Sequence, residues 1–343
     1  MMKVIQNGVG FIGQKAIEMM LRKGFDVVGA IGHKKHLGED IGELVGMGKS
    51  GVKVTNDVQS VIRKTKADIV SDATITEVDK LYYDELKQFI DEGINVASIS
   101  EALSFSWVTY PEVSKDIDQN AKDHNVTVVS TGVNPGLVMD FMPLALSSAC
   151  CRVDRVKIKR VVDFSVYSPT RGTLRFGIKP GEFRKGVKEG KIPLHQGFNE
   201  TLAHVAAGLG FKLDEIKQKW NLLVSKSIRT TQWFTVRPGE VTGFTQTAMG
   251  LMNGESRVEL IICCIIHPNL NEDGEEAGNW VWIEGEPDVN MVIKFPTERG
   301  DLSTTARLVN ILPAVVEAKP GLLSVKDLPP CPPLPDKDGF KES

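Results

Sequence analysis

A short apolar segment, Met2 to Gln6, runs straight into Gly8-Val9-Gly10-Phe11-Ile12-Gly13, and Ala16, Met19 and Met20 follow at helical spacing. A strand, a GxGxxG turn and a helix in that order constrain the fold more than any other feature of this chain. The first glycine makes the tight turn. The second lets backbone approach a pyrophosphate. The third lets the helix pack close on the strand, and the helix N-terminus offers N–H groups to phosphate. Gly8, Gly10, Phe11, Ile12 and Gly13 are therefore candidate cofactor contacts.

The rhythm continues behind the motif. Asp26 to Ile31, Asp68 to Ala73, Asn95 to Ile99 and Val126 to Ser130 read as strands. Helical patterns lie between them at Lys80 to Glu92 and Glu112 to His124, and another, Leu137 to Ser148, follows the last. Strands alternating with helices indicate a parallel sheet covered on both faces. After about Cys150 the pattern changes. Arg155 to Phe164, Val241 to Met249, Arg257 to His267, Trp280 to Ile283 and Asn290 to Phe295 read as closely spaced strands, with helices expected at Phe198 to Leu209 and Leu213 to Lys219. That crowding predicts a mostly antiparallel sheet. A glycine-studded stretch, Gly172 to Gly190, reads as a lid or as a row of turns. Asp301 to Ala318 reads as a helix ended by Pro320-Gly321.

The expected architecture is α/β: a Rossmann dinucleotide-binding domain plus an α+β substrate and dimerisation domain. The expected boundaries are 1–150 with about 300–343 packing back, and 151–299. A length of 343 residues fits two domains. No apolar run reaches the ~20 residues of a membrane span, and a formal charge of −3 gives no electrostatic case for nucleic acid. Cys150, Cys151, Cys263, Cys264 and Cys331 make a poor disulfide framework, so a cytoplasmic protein is expected. No metal-ligand spacing is present.

Ligands of open α/β sheets bind beyond the carboxyl ends of the strands. About 20 residues after the glycines, where an NAD site carries an acid, stand His33 and Lys34. Cations in place of a carboxylate favour NADP(H), with NAD(H) left open; a solvated basic loop is the simpler alternative. Thr74, in Asp72-Ala73-Thr74, would donate to the cofactor, although Asp72 reads equally as a helix cap. Glu101, after Ser98-Ile99-Ser100, would serve as general base or acid near the nicotinamide, and reads equally as a first-turn helix acid. Asn134, in Thr131-Gly132-Val133-Asn134-Pro135-Gly136, offers donor and acceptor to a carboxamide or a substrate.

These loops carry a resemblance. Gly8-Val9-Gly10-Phe11-Ile12-Gly13, Ser100-Glu101, Thr131 to Gly136, Arg160-Val161-Val162-Asp163, Gly300-Asp301 with Thr305 to Asn310, and Leu312-Pro313 resemble the 2,4-diaminopentanoate dehydrogenases and related native amine dehydrogenases. The chain is more distantly similar to the dihydrodipicolinate-reductase-type enzymes, whose His-His…Lys and Pro-Ser-Gly-Thr motifs it lacks. The resemblance implies oxidative deamination of an amine carbon with NADP or NAD, release of ammonium, and the reverse reductive amination. It implies Glu101 as the catalytic carboxylate; Ser100 and Asn134 are the further cofactor candidates in these loops. It places Arg160 and Asp163 beside the substrate, Arg160 for a carboxylate and Asp163 for a second ammonium; Tyr167 and Thr170 follow in the same loop. Arg171 and Arg175 are rival carboxylate binders, and His195 is a candidate pocket residue. The site would need Glu101 and Asn134 from one domain and Arg160 from the other. The expected partners are a small amine or diamino acid and a second copy of the chain in a homodimer. A broad amine dehydrogenase, another imine or amino-acid reductase, and a non-enzymatic NAD(P)-sensing protein are the competing readings.

Overall fold

The computed structural model describes residues 1–74, 77–167, 175–295 and 300–337. It divides into two compact units, Met1–Leu137 with Glu298–Ser343, and Val138–Thr297. The helix Phe141–Ser147, expected from Leu137 to Ser148, thus groups with the second unit.

In the first unit β1 (Lys3–Asn7), β2 (Asp26–Ile31), β3 (Val54–Thr55), β4 (Ile69–Asp72), β5 (Asn95–Ser98) and β6 (Thr127–Ser130) form one sheet in the order 3-2-1-4-5-6, and Gly321–Leu322 adds a seventh strand beside β6. Every pairing is parallel. That is the dinucleotide-fold order, with the switch point between β1 and β4. β4 and β6 are buried along their whole length, as expected of strands covered on both faces. The helix Phe11–Lys23 ends on Arg22 and Lys23, which suit the negative end of its dipole, and on Gly24 in the left-handed region. The helix Gly300–Glu317 packs on Phe11–Lys23 and on β4, β5 and β6. Between Val78 and Ile90 the expected single helix is interrupted by a π-helical turn, Leu81–Leu86.

In the second unit β7 (Arg152–Asp163), β8 (Glu215–Val224), β9 (Arg229–Thr230), β10 (Thr235–Val236), β11 (Val241–Met252), β12 (Glu255–Ile265), β13 (Gly278–Glu286) and β14 (Val289–Ile293) form a six-stranded sheet, order 14-13-7-12-11-8, and a separate two-stranded β9–β10 ribbon. Only β7–β12 is parallel in the large sheet, so it is mixed but mostly antiparallel.

Two local expectations are corrected. Leu213 to Lys219 is not a helix: Glu215–Val224 is the edge strand β8. Its alternation, Ile216, Gln218, Trp220, Leu222 against Lys217, Lys219, Asn221, is the period-two pattern of a strand, and lysines suit an edge. The stretch from Gly172 to Gly190 holds a helix, Pro180–Lys188, opened by its proline and followed by Gly190 at φ +68°. Gly172 itself lies outside the described residues.

Candidate functional site

The loops after β1, β4, β5 and β6 lie side by side at one edge of the first-unit sheet, because those strands are neighbours in that order. The glycine loop is shaped by contacts that forbid larger residues at two positions and permit one at the third. Gly8 has φ +85°, and a Cβ there would stand 2.5 Å from the Ala73 carbonyl oxygen. A Cβ on Gly13 would stand 1.8 Å from the Gly8 oxygen. A Cβ on Gly10 would meet nothing within 4 Å. Gly10 is also the N-cap of Phe11–Lys23 and has no side chain with which to cap its first turn. Open space before a helix N-terminus whose cap is glycine fits the pyrophosphate of a dinucleotide.

Beyond β4, Asp72 is not a helix cap. Its carboxylate accepts from Asn7 Nδ2 at 3.0 Å, Thr74 Oγ1 at 2.8 Å and Ser98 Oγ at 2.7 Å, tying the ends of β1, β4 and β5 together. Burial raises its pKa to about 6 against the pull of those three donors, and the negative charge of Glu85 adds to the rise. Thr74 therefore spends its hydroxyl proton on Asp72.

Beyond β5, Ser130 Oγ donates to the Ser98 and Ser100 carbonyls, at 3.1 and 2.6 Å, and fixes the turn that carries Glu101. Ser100 is buried; Glu101 is half-buried and opens a short 3-10 turn, Glu101–Leu103. Two strand steps of about 4.8 Å separate β1 from β5, so Glu101 lies on the order of 10 Å along the edge from the glycine loop. Beyond β6, Gly132 and Gly136 let Thr131 to Gly136 fold back on itself. A Cβ on Gly136 would stand 2.2 Å from the Gly132 nitrogen. Asn134 is half-buried in that loop, joined to Pro135 by a cis peptide bond, and Val133 N donates to Thr304 Oγ1 at 3.3 Å.

At the end of β2 the side chain of His33 is 57% exposed, and its Nε2 lies 3.2 Å from Glu85 Oε1. Lys34 and Lys35 are exposed in the same loop.

In the second unit one row of cross-strand partners runs Trp220, Gln246, Ile262, Arg160, Asn279 and Ile293. Partners across strands share a face, so Arg160, Asn279 and Gln246 form a polar row. Arg160 is 4% exposed and Nη1 donates to Asn279 Oδ1 at 2.5 Å. Gln246 Oε1 accepts from His195 N at 3.1 Å. The His195 ring lies 5.8 Å from the Phe198 ring. Desolvation, then the charge of Arg160, lowers its pKa to about 4, so it is neutral at pH 7. Asp163 stands apart from this row. Its Oδ1 accepts from Ser165 N at 2.9 Å and His267 N at 3.0 Å, closing the turn after β7. Tyr167 packs its ring 5.2 Å from Phe164. Thr170 and Arg171 lie outside the described residues, and Arg175 lines a pocket of about 440 Å³ with Glu182, Lys185 and Glu189.

The 2,4-diaminopentanoate dehydrogenase C-terminal domain matches residues 137–337, and the N-terminus of dihydrodipicolinate reductase matches residues 2–96. Over 335 residues the chain is 32% identical to the 2,4-diaminopentanoate dehydrogenase of Acetoanaerobium sticklandii, covering 95% of this chain and 93% of that protein. The chain belongs to the 2,4-diaminopentanoate dehydrogenase family. An amine dehydrogenase of Streptomyces virginiae is 24% identical, over 96% of each chain. The solved amine dehydrogenase of Mycobacterium smegmatis superposes with a TM-score of 0.83 at 26% identity, over 98% of each chain. The expected family, α/β fold class and oxidoreductase class stand.

Three residues of the family chain escaped the sequence reading. Asn279 and Gln246 are visible only once strand register is known. Glu85 had a signal: it interrupts the apolar stripe of Leu81 and Phe89 at helical spacing.

Proposed function

We propose that the chain catalyses NAD(P)-dependent oxidative deamination of 2,4-diaminopentanoate to 2-amino-4-oxopentanoate and ammonium, and the reverse. The observation that carries the cofactor half is the open Gly10 position at the start of the helix Phe11–Lys23. When bound, the oxidised nicotinamide supplies the hydride acceptor. Gly8, Gly10 and Gly13 give the backbone path, Phe11 and Ile12 contribute first-turn N–H groups, and Thr74, Ser100 and Asn134 line the route toward the reacting end. Glu101 takes the proton from the substrate ammonium. Loss of a hydride from carbon then leaves a substrate iminium. Glu101 next activates water on that iminium carbon. The balance is amine cation, NAD(P)⁺ and water to ketone, ammonium, NAD(P)H and one proton. General acid–base help of this kind is worth ~10²–10⁴-fold.

In this reading Arg160, held by Asn279, takes the substrate carboxylate, and neutral His195 adds a hydrogen-bonding group without a competing charge. Asp163 as a seat for the second ammonium has less support, because its carboxylate already serves two backbone N–H groups. The relatives' names support the amine class, and the Mycobacterium smegmatis likeness favours a second reading, a broad amine dehydrogenase. NAD(P)⁺ reduction with 2,4-diaminopentanoate against simple amines tests the pair: marked preference for the diamino acid supports the first, and equal or better rates with simple amines support the second.

A cytoplasmic homodimer completes the proposal. None of the five cysteines is in a disulfide, and no helix among the described residues is long and apolar enough to cross a membrane. The second-unit sheet presents half-buried Trp280 and Trp282, with Lys159 and Lys157 each 5.9 Å from their ring centroids, as a surface for a second copy. Light scattering on the eluting protein would test it; a monomer at micromolar concentration would exclude it.

A further inference from the structure

The cradle at Gly10 is taken here as a dinucleotide site, and the inference rests on that reading. Twenty residues past Gly13 stands His33, at the position where an NAD-selective fold places an acid on the ribose diol. The local sequence has no acid there, but the fold brings one. Glu85 Oε1 lies 3.2 Å from His33 Nε2, and Oε2 accepts from Asn7 Nδ2 at 3.3 Å. Asn7 ends β1 and His33 follows β2, so the carboxylate is pinned across the two strand ends that flank the ribose position. Glu85 reaches it from the π-helical turn Leu81–Leu86, a distortion that frequently marks functional sites.

We propose that Glu85 sets the cofactor preference. It takes the place of the acid missing from the end of β2, accepts from the ribose hydroxyls, and disfavours a 2′-phosphate, so that the chain prefers NAD(H) to NADP(H). A phosphate bonded to His33 would stand one side chain away from the Glu85 carboxylate, with like charges opposed. The His33 ring nitrogen that would have met it already lies against Glu85. Glu85 cannot swing away, because its side chain is only 12% exposed while that of His33 is 57% exposed. Lys34 and Lys35 are exposed, and their attraction is weakened by solvent and salt.

Fluorescence titration of NADH and NADPH into the full chain tests this without a substrate. The wild type is expected to bind NADH at least tenfold more tightly. Glu85→Gln is expected to move the ratio of dissociation constants toward NADPH by at least tenfold, about 1.4 kcal/mol. An unchanged ratio in Glu85→Gln, or a wild type that prefers NADPH, overturns the proposal. If neither nucleotide binds the wild type, the cradle reading itself fails. Should Glu85→Gln not fold, His33→Ala decides: retained NADH preference supports Glu85, and loss of that preference assigns selection to His33 and overturns it.

Discussion

Replacing Gly10 by alanine separates what the glycine loop does for the fold from what it does for a ligand. Gly10 has φ −80° and ψ −163°, extended backbone that any residue adopts, and its new methyl would meet nothing within 4 Å. Alanine is a poorer residue than glycine before a helix, by less than about 1 kcal/mol. A unit of this size loses ~2–4 °C of Tm per kcal/mol, so the melt should fall by no more than about 4 °C. The methyl occupies the space through which the N–H groups of the first turn reach phosphate. Hydrogen bonds to charged groups contribute ~1.5–3 kcal/mol each, and loss of one weakens binding by about 10- to 100-fold. Gly13→Ala inverts the pattern. Its methyl would stand 1.8 Å from the Gly8 oxygen, and backbone must move. Overpacking costs ~1–3 kcal/mol or more, and at ~2–4 °C per kcal/mol the melt should fall by about 2–12 °C or further. Differential scanning fluorimetry and NAD(P)H fluorescence titration on the same preparations read both quantities. A Gly10→Ala protein that binds the nucleotide as tightly as the wild type would refute the reasoning, because the open space would then have no ligand.

Other outcomes follow from the same geometry. Glu101→Gln should keep nucleotide affinity and lose ~10²–10⁴-fold in kcat; near-normal turnover in steady-state assays would remove Glu101 from the chemistry. Arg160→Lys should raise KM for 2,4-diaminopentanoate about tenfold or more while changing KM for an amine without a carboxylate much less, and an equal rise for both would assign Arg160 a purely structural part. Asp72 gives a pH signature. Its folded pKa of about 6 exceeds the ordinary aspartate value of about 3.9, so the folded state holds the proton longer and stability falls as pH rises from 4 to 6, by on the order of 3 kcal/mol at most. Denaturant melts across that window should show the slope in the wild type and a flatter one in Asp72→Asn; parallel slopes would contradict the assignment.

How much of this was legible in sequence depends on the range of the interaction. The strand, glycine turn and first helix are local, and Gly8, Gly10 and Gly13 declare themselves by spacing. Arg160 enters only through the family resemblance; its position three before Asp163 puts the two on opposite faces of a straight strand, and the structure engages them separately. A helix is expected at Leu213 to Lys219 because Glu215, Lys217, Gln218 and Lys219 are good helix formers; tertiary pairing with β11 overrides that propensity in β8. β3 has only two residues and left no pattern to see.

The limit of local reading is clearest at the end of β2. The phosphate reading of His33 and Lys34 weighs only neighbours in the chain. Glu85 is fifty-two residues away in sequence and 3.2 Å away in space. A buried carboxylate needs partners; Asn7 and His33 supply them at the strand ends. An acid inside an apolar helical stripe thus predicts that some polar group must come to meet it. Here that meeting point coincides with the place where the fold must decide between a hydroxyl and a phosphate. On the proposal above, the charge balance of that pocket is set by a residue that no motif at β2 could contain.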